Sequence, residues 1–376
     1  MWGSGMERIR IGDICEVLNG FAFKSENYVD SGIRVIRIAN VQKGFIEDNA
    51  PAFYPNNSEG IDRFMLAEGD LLMSLTGNVG RVAFLAKEFL PAALNQRVAC
   101  LRMKTDRISK RYLFHILNSD FFESQCIQSS KGVAQKNMST EWLKEYEIPI
   151  YSQAKQKEIV SILDNVLLII EERKRQLRTL DTLIKARFVE MFGDVKQEDA
   201  LLNLCNIIDY RGKTPEKVED GLPFITAKNV RMHQLSKEPR EYISKETYDS
   251  VMTRGFPREG DVVFTTEAPL GNVCRLPHFD TEFYVGQRIV TLQTEKLAPA
   301  YLEYALDTDE FRRKVEGKSS GSTVTGIRVR LLEQLTIPVP SRTSQDQFAA
   351  FVSQVDKSKL SSDIVQRIAD MQYNVS

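Results

Sequence analysis

The chain has 376 residues, a length that predicts two to three domains rather than one. It is 42% hydrophobic and 27% charged, an ordinary composition for a globular protein with a sizeable core. A formal net charge of −1 argues against a wholly basic, histone-like nucleic-acid binder. It leaves room for local clusters of Lys and Arg, because phosphate attraction depends on where the charges lie.

The cysteines, the histidines and the N-terminal residues limit the cell compartment and the kinds of site that the chain is expected to have. The five cysteines are odd in number and form no CxxC pair, which predicts free thiols in a reducing cytoplasm. The histidines lack zinc-ligand spacing, and no apolar run approaches the roughly 18 residues of a membrane span. No signal peptide is visible, and the leading MWGSG resembles an expression-tag remnant, so Met6 is the expected native start. We expect a cytoplasmic protein without a metal site.

The first half of the chain, residues 6–151, is predicted to be an α+β domain. Its β-like blocks, such as VIRIANV and RVACLRM, combine apolar and β-branched residues between Gly and Asn/Asp turns. A helical segment is predicted around residues 109–126.

A long helix is predicted next, over residues 152–192. From Gln153 to about Met191 the chain has no Gly or Pro, and Gly193 supplies a stop. Its heptad pattern predicts packing against another helix. Arg173 and Arg187 fall in the same pattern, and we expect them to pair with Glu on the facing helix. The apolar positions, called the seam below, are Ile159, Leu163, Val166, Ile170, Leu177, Leu180, Ile184 and Met191.

The second half, residues 193–340, repeats the first and predicts a second α+β domain. GIRVIRIANV at 32–41 returns as GLPFITAKNV at 221–230, 189 positions later. EGDLLMSLTGNVGRV at 68–82 pairs with EGDVVFTTEAPLGNVCRL at 259–276, and there the offset grows from 191 to 194. This increase in the offset predicts insertions in the second copy.

The junction that follows each domain also occurs twice. LKEYEIPIYSQAKQKE at 143–158 returns as LEQLTIPVPSRTSQDQ at 332–347, which predicts a second long helix over residues 341–373. In this helix Phe348, Val352 and Val355 hold the seam positions. The next seam positions are polar, and the repeat fades near Leu360. Whether this distal helix is complete stays open at this point.

These elements predict a single architecture. A heptad helix needs a partner, and the other candidate in the chain is its own copy. The fold class is therefore α+β: two pseudo-repeated mixed α/β domains at opposite ends of two long antiparallel, coiled-coil helices. Two related but non-identical domains held apart by such a rod suit two DNA half-sites, since one turn of B-DNA is roughly 34 Å.

Several motifs, taken in order, resemble specificity subunits of Type I restriction–modification enzymes over about residues 7–360. They are GFAFKS at 20–25, RGKTP at 211–215, EGD before a strand, GNVGR, and the IPxP…Q entry into a long helix. The chain departs from the pattern at PIY, residues 149–151, where the second copy has PVP. Its tail from Ser361 also lacks the family's long heptad run and closing aromatic-Gly.

The resemblance implies a fold, partners and a role. It implies two target-recognition domains, each reading a few base pairs of double-stranded DNA, and two spacer helices that dock two methyltransferase subunits. A restriction/translocase subunit belongs to the same complex. No catalytic activity and no cofactor are expected in this chain, since S-adenosylmethionine would bind the methyltransferase subunits.

Polar and glycine-bearing loops after the strands are the candidate DNA contacts. Arg and Lys suit guanine, Asn and Gln suit adenine, and hydroxyls suit phosphate. The first-half candidates are Lys24, Ser25, Gln42, Thr76, Asn78, Arg81, Lys131, Gln135, Lys136 and Asn137. The second-half candidates are Arg211, Lys213, Thr214, Lys228, Arg231, Thr265, Thr266, Asn272, Ser320, Ser322, Thr323 and Thr325.

Recurrence separates structural from specific candidates. Asn40 recurs as Asn229, and Gln96–Arg97 recurs as Gln287–Arg288. Residues that read different half-sites should differ, so these pairs favour a structural or phosphate-positioning role. Residues 135–137 and 323–325 differ between the copies and are better candidates for specificity. GNVGR and GNVC are equally well explained as hairpin turns.

Apolar residues outside the seam predict a docking surface for another subunit, although packing on the domains explains part of them. The docking candidates are Leu167, Leu168, Phe188 and Val189.

Motifs for nucleotide hydrolysis, zinc hydrolysis, serine hydrolysis and methyl transfer are absent from the sequence. The sequence favours a non-catalytic, sequence-specific subunit that reads a bipartite asymmetric DNA site and positions methyltransferase and restriction subunits. Two alternatives remain open: a stand-alone DNA modification or nuclease enzyme, and a coiled-coil scaffold without DNA binding.

Overall fold

A computed structural model describes residues 7–130, 137–210, 212, 214–321 and 325–375, and for 360–375 it describes the backbone alone. By its internal contacts the chain divides into two compact units. The first comprises residues 1–173 and 364–376, and the second comprises residues 174–363.

Short strands and helices alternate in the first unit, as its blocks of apolar residues between Gly and Asn predict. Its strands are β1 (Glu7–Arg10), β2 (Cys15–Asn19), β3 (Ile33–Ile36), β4 (Phe53–Tyr54), β5 (Leu71–Ser74), β6 (Val82–Phe84), β7 (Ala92–Leu94), β8 (Val98–Met103) and β9 (Glu147–Ile150). Its helices are α1 (Ile11–Ile14), α2 (Lys110–Leu117), α3 (Asp120–Ser129), α4 (Thr140–Glu145) and the start of α5 (Gln153–Phe192).

The second unit follows the same order after the end of α5. Its strands are β10 (Glu198–Ala200), β11 (Asn206–Asp209), β12 (Leu222–Ile225), β13 (Val230–Arg231), β14 (Gln234–Leu235), β15 (Tyr242–Ile243), β16 (Val262–Thr265), β17 (Val273–Arg275), β18 (Tyr284–Val285), β19 (Ile289–Gln293) and β20 (Thr336–Pro338). Its helices are α6 (Leu201–Leu204), α7 (Lys245–Val251), α8 (Pro299–Ala305), α9 (Asp309–Lys318), α10 (Val329–Leu332) and α11 (Arg342–Val375), which continues beyond the unit.

The sheets of the two units share one topology. The first has an antiparallel sheet β2-β8-β5-β6, a mixed sheet β4-β3-β7 and the pair β1-β9. The second has β11-β19-β16-β17, β15-β12-β18 and β10-β20 in the matching places. Each unit is therefore a mixed α/β domain, and the predicted fold class is confirmed.

The predicted insertions after residue 259 are wrong. Strand β5 pairs with β6 so that Met73 faces Val82, and β16 pairs with β17 so that Phe264 faces Val273. The offset between these positions stays at 191, and Gly80 therefore matches Gly271. Sequence similarity aligns the two GNV stretches with each other. The strand register shows instead that the β5–β6 and β16–β17 loops have the same length.

Part of the predicted helix pair lies within the second unit. The ring of Phe348 in α11 lies 5.4 Å from the ring of Phe188 and 5.6 Å from that of Phe192, both in α5. Further along α11, Lys359 forms an ion pair with Asp181 of α5, at 2.7 Å. Because 359 follows 348 while 181 precedes 188, these segments run antiparallel.

The seam residues are buried or partly buried, as the heptad pattern predicts. Leu163, Ile170 and Ile184 in α5 are buried, as are Val352 and Val355 in α11. Arg187 differs from its prediction, since it pairs with Glu190 on its own helix at 2.7 Å instead of with a facing helix.

The repeated junction has a structural explanation in its glutamine. Gln156, which is 1% exposed, accepts a hydrogen bond from the Ser109 backbone N–H and donates to the carbonyls of Arg107 and Tyr151. Gln345 likewise accepts a hydrogen bond from the Ala298 backbone N–H and donates one to the Pro340 carbonyl. Each glutamine ties the first turn of a long helix to the segment before α2 or α8, so both domains need it.

Replacing Gln156 by Ala is expected to lower the free energy of unfolding by about 2–3 kcal/mol, because buried backbone groups lose their partners. Gln153→Ala is the matched control: Gln153 is exposed and makes one hydrogen bond, to the Asp106 carbonyl, so its removal costs about 0.5 kcal/mol or less. Thermal unfolding of the two variants measures the difference. Equal shifts would contradict this role.

Candidate nucleic-acid interface

Loops from distant parts of the first unit adjoin one another. Residues 20–25 meet the turn at 95–97 through a bridge between Phe21 and Asn95. That turn meets the β5–β6 loop, where the Leu75 N–H donates to the Arg97 carbonyl. The same loop pairs with Asn137 through Thr76. We call residues 20–25, 39–46, 75–81, 95–97 and 137 the first loop cluster.

Charged side chains fix the loop at 39–46 against the rest of the first loop cluster. Arg81 donates to the Gln42 side-chain oxygen at 2.6 Å and lies 3.8 Å from a Glu123 carboxylate oxygen. Lys43 pairs with Glu123 at 3.0 Å and with Asp120. Two cations near the loops are therefore held by carboxylates of α3, and sequence reasoning missed Lys43.

The second unit assembles matching loops. The Thr266 N–H donates to the Arg288 carbonyl, and Glu267 bridges to Gly326. The Asn272 side chain donates to the carbonyl of Val230 at 2.8 Å, which links the β16–β17 loop to the β13–β14 hairpin. We call residues 228–236, 265–272, 286–288, 320–321 and 325–327 the second loop cluster.

Four of the predicted contact residues are buried or held by hydrogen bonds within the protein. Thr76, Thr265 and Thr266 are buried, and Thr265 accepts a hydrogen bond from the Asn272 N–H. The Asn272 side chain is occupied by the Val230 carbonyl. GNVGR lies in the β5–β6 connection and GNVC begins in the β16–β17 connection, where Gly80 and Gly271 have positive φ.

Other predicted residues stay accessible. Thr214 is exposed after β11, although contacts among the described residues do not join it to the second loop cluster. The exposed candidates are Lys24, Ser25, Asn78, Asn137, Thr214, Lys228, Arg231, Ser320 and Thr325, and Gln42 and Arg81 are partly exposed. Lys131, Gln135, Lys136, Arg211, Lys213, Ser322 and Thr323 lie outside the described residues.

The recurring asparagines are structural, as their recurrence predicts. Asn40 is buried, accepts from the Arg37 N–H and donates to the Glu47 carbonyl. Asn229 accepts from the Thr226 N–H and donates to the carbonyls of Ser236 and Pro239. Each side chain closes the loop that follows β3 or β12.

The predicted docking surface needs correction at two positions. Phe188 is only 6% exposed and stacks on Tyr301 in the core of the second unit. Leu167 is partly buried against the core of the first unit. Leu168 and Val189 are 68% and 64% exposed and stay available. The heptad pattern alone does not show which flank of a helix packs on its own domain.

A buried ionic cluster in the second unit has no counterpart among the sequence predictions. His233 lies between Glu303 and Asp307, and both carboxylates are almost completely buried. Burial raises the pKa of Asp307, but hydrogen bonds from His233, Lys185 and Arg312 outweigh this and hold it below its usual range. His233 and Lys185 lie far along the chain from Glu303, Asp307 and Arg312, so no local motif marks the cluster.

Metal ligands and membrane spans are both missing from the described ranges. No group of three or more His, Cys, Asp or Glu side chains there could hold a metal ion. No helix of the described part is long and apolar enough to cross a membrane.

Comparisons with known proteins agree with this architecture. A family described as Type I restriction modification DNA specificity domain matches residues 3–179 and 199–369. The EcoBI specificity subunit of Escherichia coli is 22% identical over 93% of this chain and 78% of its own length. The EcoAI specificity subunit, also from E. coli, is 31% identical over 46% of this chain and 30% of its own.

A solved structure has a similar fold. The S subunit of a Type I restriction–modification system from M. genitalium aligns over 98% of this chain and 95% of its own, with a TM-score of 0.54 and 14% identity. The family match covers both units and the repeated strand order described above. The chain therefore belongs to the family of Type I restriction–modification DNA specificity subunits.

Proposed function

We propose that this chain reads a bipartite, asymmetric DNA site for a Type I restriction–modification complex. The observation that carries the proposal is the duplicated domain: two units share strand order and register, yet present loop clusters with different exposed side chains. Matched scaffolds with unmatched side chains suit two different half-sites, because specificity comes from base-edge contacts while positioning comes from phosphate contacts.

The domain boundaries and contacts follow from this proposal. Residues 6–151 and 193–340 are the target-recognition domains, and residues 152–192 and 341–373 are the spacer helices. Base and phosphate contacts come from the exposed and partly exposed members of the two loop clusters, including Lys24, Gln42, Arg81, Lys228 and Arg231. The candidates outside the described residues stay proposed DNA contacts: Lys131, Gln135, Lys136, Arg211, Lys213, Ser322 and Thr323.

The partners are two methyltransferase subunits and a restriction/translocase subunit, acting on DNA in the cytoplasm. Leu168 and Val189 are exposed apolar residues on α5 and support docking of another subunit there. The chain has no catalytic role, and S-adenosylmethionine binds the methyltransferase subunits. The family match does not support the alternatives of a stand-alone enzyme or a scaffold without DNA.

Genome-wide mapping of methylated adenines, with and without this chain, tests the proposal. We expect one split motif to be methylated only when the chain is expressed with its methyltransferase. Methylation that is unchanged without the chain would refute it. Incubating the chain alone with duplex DNA and S-adenosylmethionine or Mg²⁺ should give no product, whereas a product would favour the enzyme alternative.

A further inference from the structure

The β13–β14 hairpin of the second loop cluster turns on an unusual residue. His233 has φ 58, in the left-handed region that non-glycine residues seldom adopt. The matching residue of the first unit is Gly44, with φ 91. Both N–H groups make the same 2.8 Å hydrogen bond, to the carbonyl of Val273 or Val82. An imidazole thus stands where glycine is conformationally easier, and its contacts must offset that strain.

The imidazole makes polar contacts through both ring nitrogens. Nδ1 lies 3.1 Å from a Glu303 carboxylate oxygen, and Nε2 lies 2.9 Å from one of Asp307. The ring also stacks on Tyr304, with centroids 4.1 Å apart and planes at 11°. A neutral imidazole donates through one nitrogen only, so the protonated form alone satisfies both carboxylates.

Further charges connect this site to the long helices. Arg275 pairs with Glu303 and reaches Asp356 of α11 at 3.0 Å. Lys185 of α5 pairs with Asp307 at 2.8 Å. The hairpin is therefore joined by successive ion pairs to α8, α5 and α11.

Arg312 of α9 completes the surroundings by donating to Asp307 at 2.9 Å. Burial lowers the pKa of His233, but hydrogen bonds to Asp307 and Glu303 outweigh it and raise the pKa above the ordinary histidine value. Because the pKa is raised, the imidazolium and both of its ion pairs are present at low pH. They disappear as the pH rises through the raised value.

The first unit packs the matching place differently. There Gly44 matches His233, Phe84 matches Arg275 and Phe114 matches Glu303. The rings of Phe84 and Phe114 stack with centroids 5.0 Å apart. At this matching place the contacts are ionic in the second domain and aromatic in the first, where the ion pairs of the loop come from Lys43 to Asp120 and Glu123 instead.

We propose that His233 is a positioning residue whose imidazolium holds the β13–β14 hairpin for DNA reading, so that one half-site, and not the other, is recognised in a pH-dependent way. The hairpin carries Arg231 and directly follows Lys228, two exposed cations of the second loop cluster. This inference rests on the proposed function.

The test uses the full chain assembled with its methyltransferase subunits and three duplexes. One duplex carries the complete site from methylation mapping, and the others have one or the other half-site scrambled. Binding is measured by fluorescence anisotropy at constant ionic strength from about pH 6 to 9, a range that spans histidine titration. For the wild type, we expect discrimination at one half-site to fall on the order of tenfold as pH rises.

Two variants change the pH profile in different ways. His233→Gly restores the residue of the first unit and should give weak, pH-independent discrimination at that half-site, with the other half-site unaffected. Glu303→Gln removes one carboxylate that favours the imidazolium, so the midpoint should move to lower pH. If His233 had only a packing role, Glu303→Gln would not move the midpoint of the pH profile.

A matched histidine serves as control. His278 is exposed, and a hydrogen bond to Glu259 raises its pKa as well, but it lies outside the hairpin. His278→Gln should keep the wild-type profile. A wild-type profile in His233→Gly, or equal losses at both half-sites, would overturn the inference. If the wild-type complex discriminates at neither half-site, the proposed function itself fails.

Discussion

Phe348→Ala is expected to lower the free energy of unfolding of the second unit by about 3–5 kcal/mol, the range for truncating a buried phenylalanine. Phe348 is fully buried in the first turns of α11. Aromatic rings of Phe188, Phe192 and Tyr304 surround it at 5.4–5.6 Å. Alanine would leave a cavity where α5, α8 and α11 meet, and the aromatic contacts of Phe348 across that junction would be lost.

Differential scanning calorimetry of the full chain measures this effect. Phe256→Ala in the same unit is the matched control, because Phe256 is 56% exposed and its truncation removes little buried area. The control should change stability by about 1 kcal/mol or less. If both variants unfolded alike, the packing of Phe348 between the helices would not be what holds the second unit together.

Replacing Lys228 and Arg231 together by alanine is expected to weaken specific DNA binding by about 10- to 100-fold, if each binds one phosphate or base. Both side chains are exposed; Arg231 lies on the β13–β14 hairpin, which Asn272 and His233 anchor, and Lys228 lies just before it. The slope of log affinity against log salt should become shallower by about 1 for each phosphate that the variant no longer neutralises.

Salt titrations with the assembled complex measure both quantities. Lys245→Ala is the matched control in the same unit, because Lys245 is already paired with Asp249 at 2.7 Å and Glu282 at 2.8 Å. This substitution should leave affinity and salt slope nearly unchanged. A double variant that behaves like this control would place the DNA-binding surface elsewhere in the second unit.

The sequence correctly predicts burial and structural roles for residues whose contacts depend on local spacing. The heptad positions Leu163, Ile184 and Phe348 are predicted as buried, and they are, because helical periodicity alone decides which residues share a face. Asn40 and Asn229 are predicted as structural from their recurrence, and their hydrogen bonds close short local loops. In both cases the controlling contacts depend on local spacing or on a repeat visible in the chain.

The predictions from sequence are wrong where the burial of a residue depends on segments distant along the chain. Thr265 is predicted as a DNA contact from its place in a polar loop, yet its hydroxyl bonds across the hairpin to Asn272. Phe188 is predicted to face a partner, yet Tyr301 and Phe348 cover it from elements far away along the chain. Polarity in a loop or apolarity on a helix therefore indicates a candidate surface without showing which neighbours occupy it.

The sequence by itself determined the duplicated α/β plan, the two long helices and the junction that starts each one, because repeats and periodicity are properties of the linear chain. Only the tertiary structure decided which loop residues are exposed and that the insertion after residue 259 does not exist. It alone brought His233, Arg275, Glu303, Asp307 and Asp356 together. Their ion pairs join separate strands and helices through side-chain distances, and no local pattern encodes such distances.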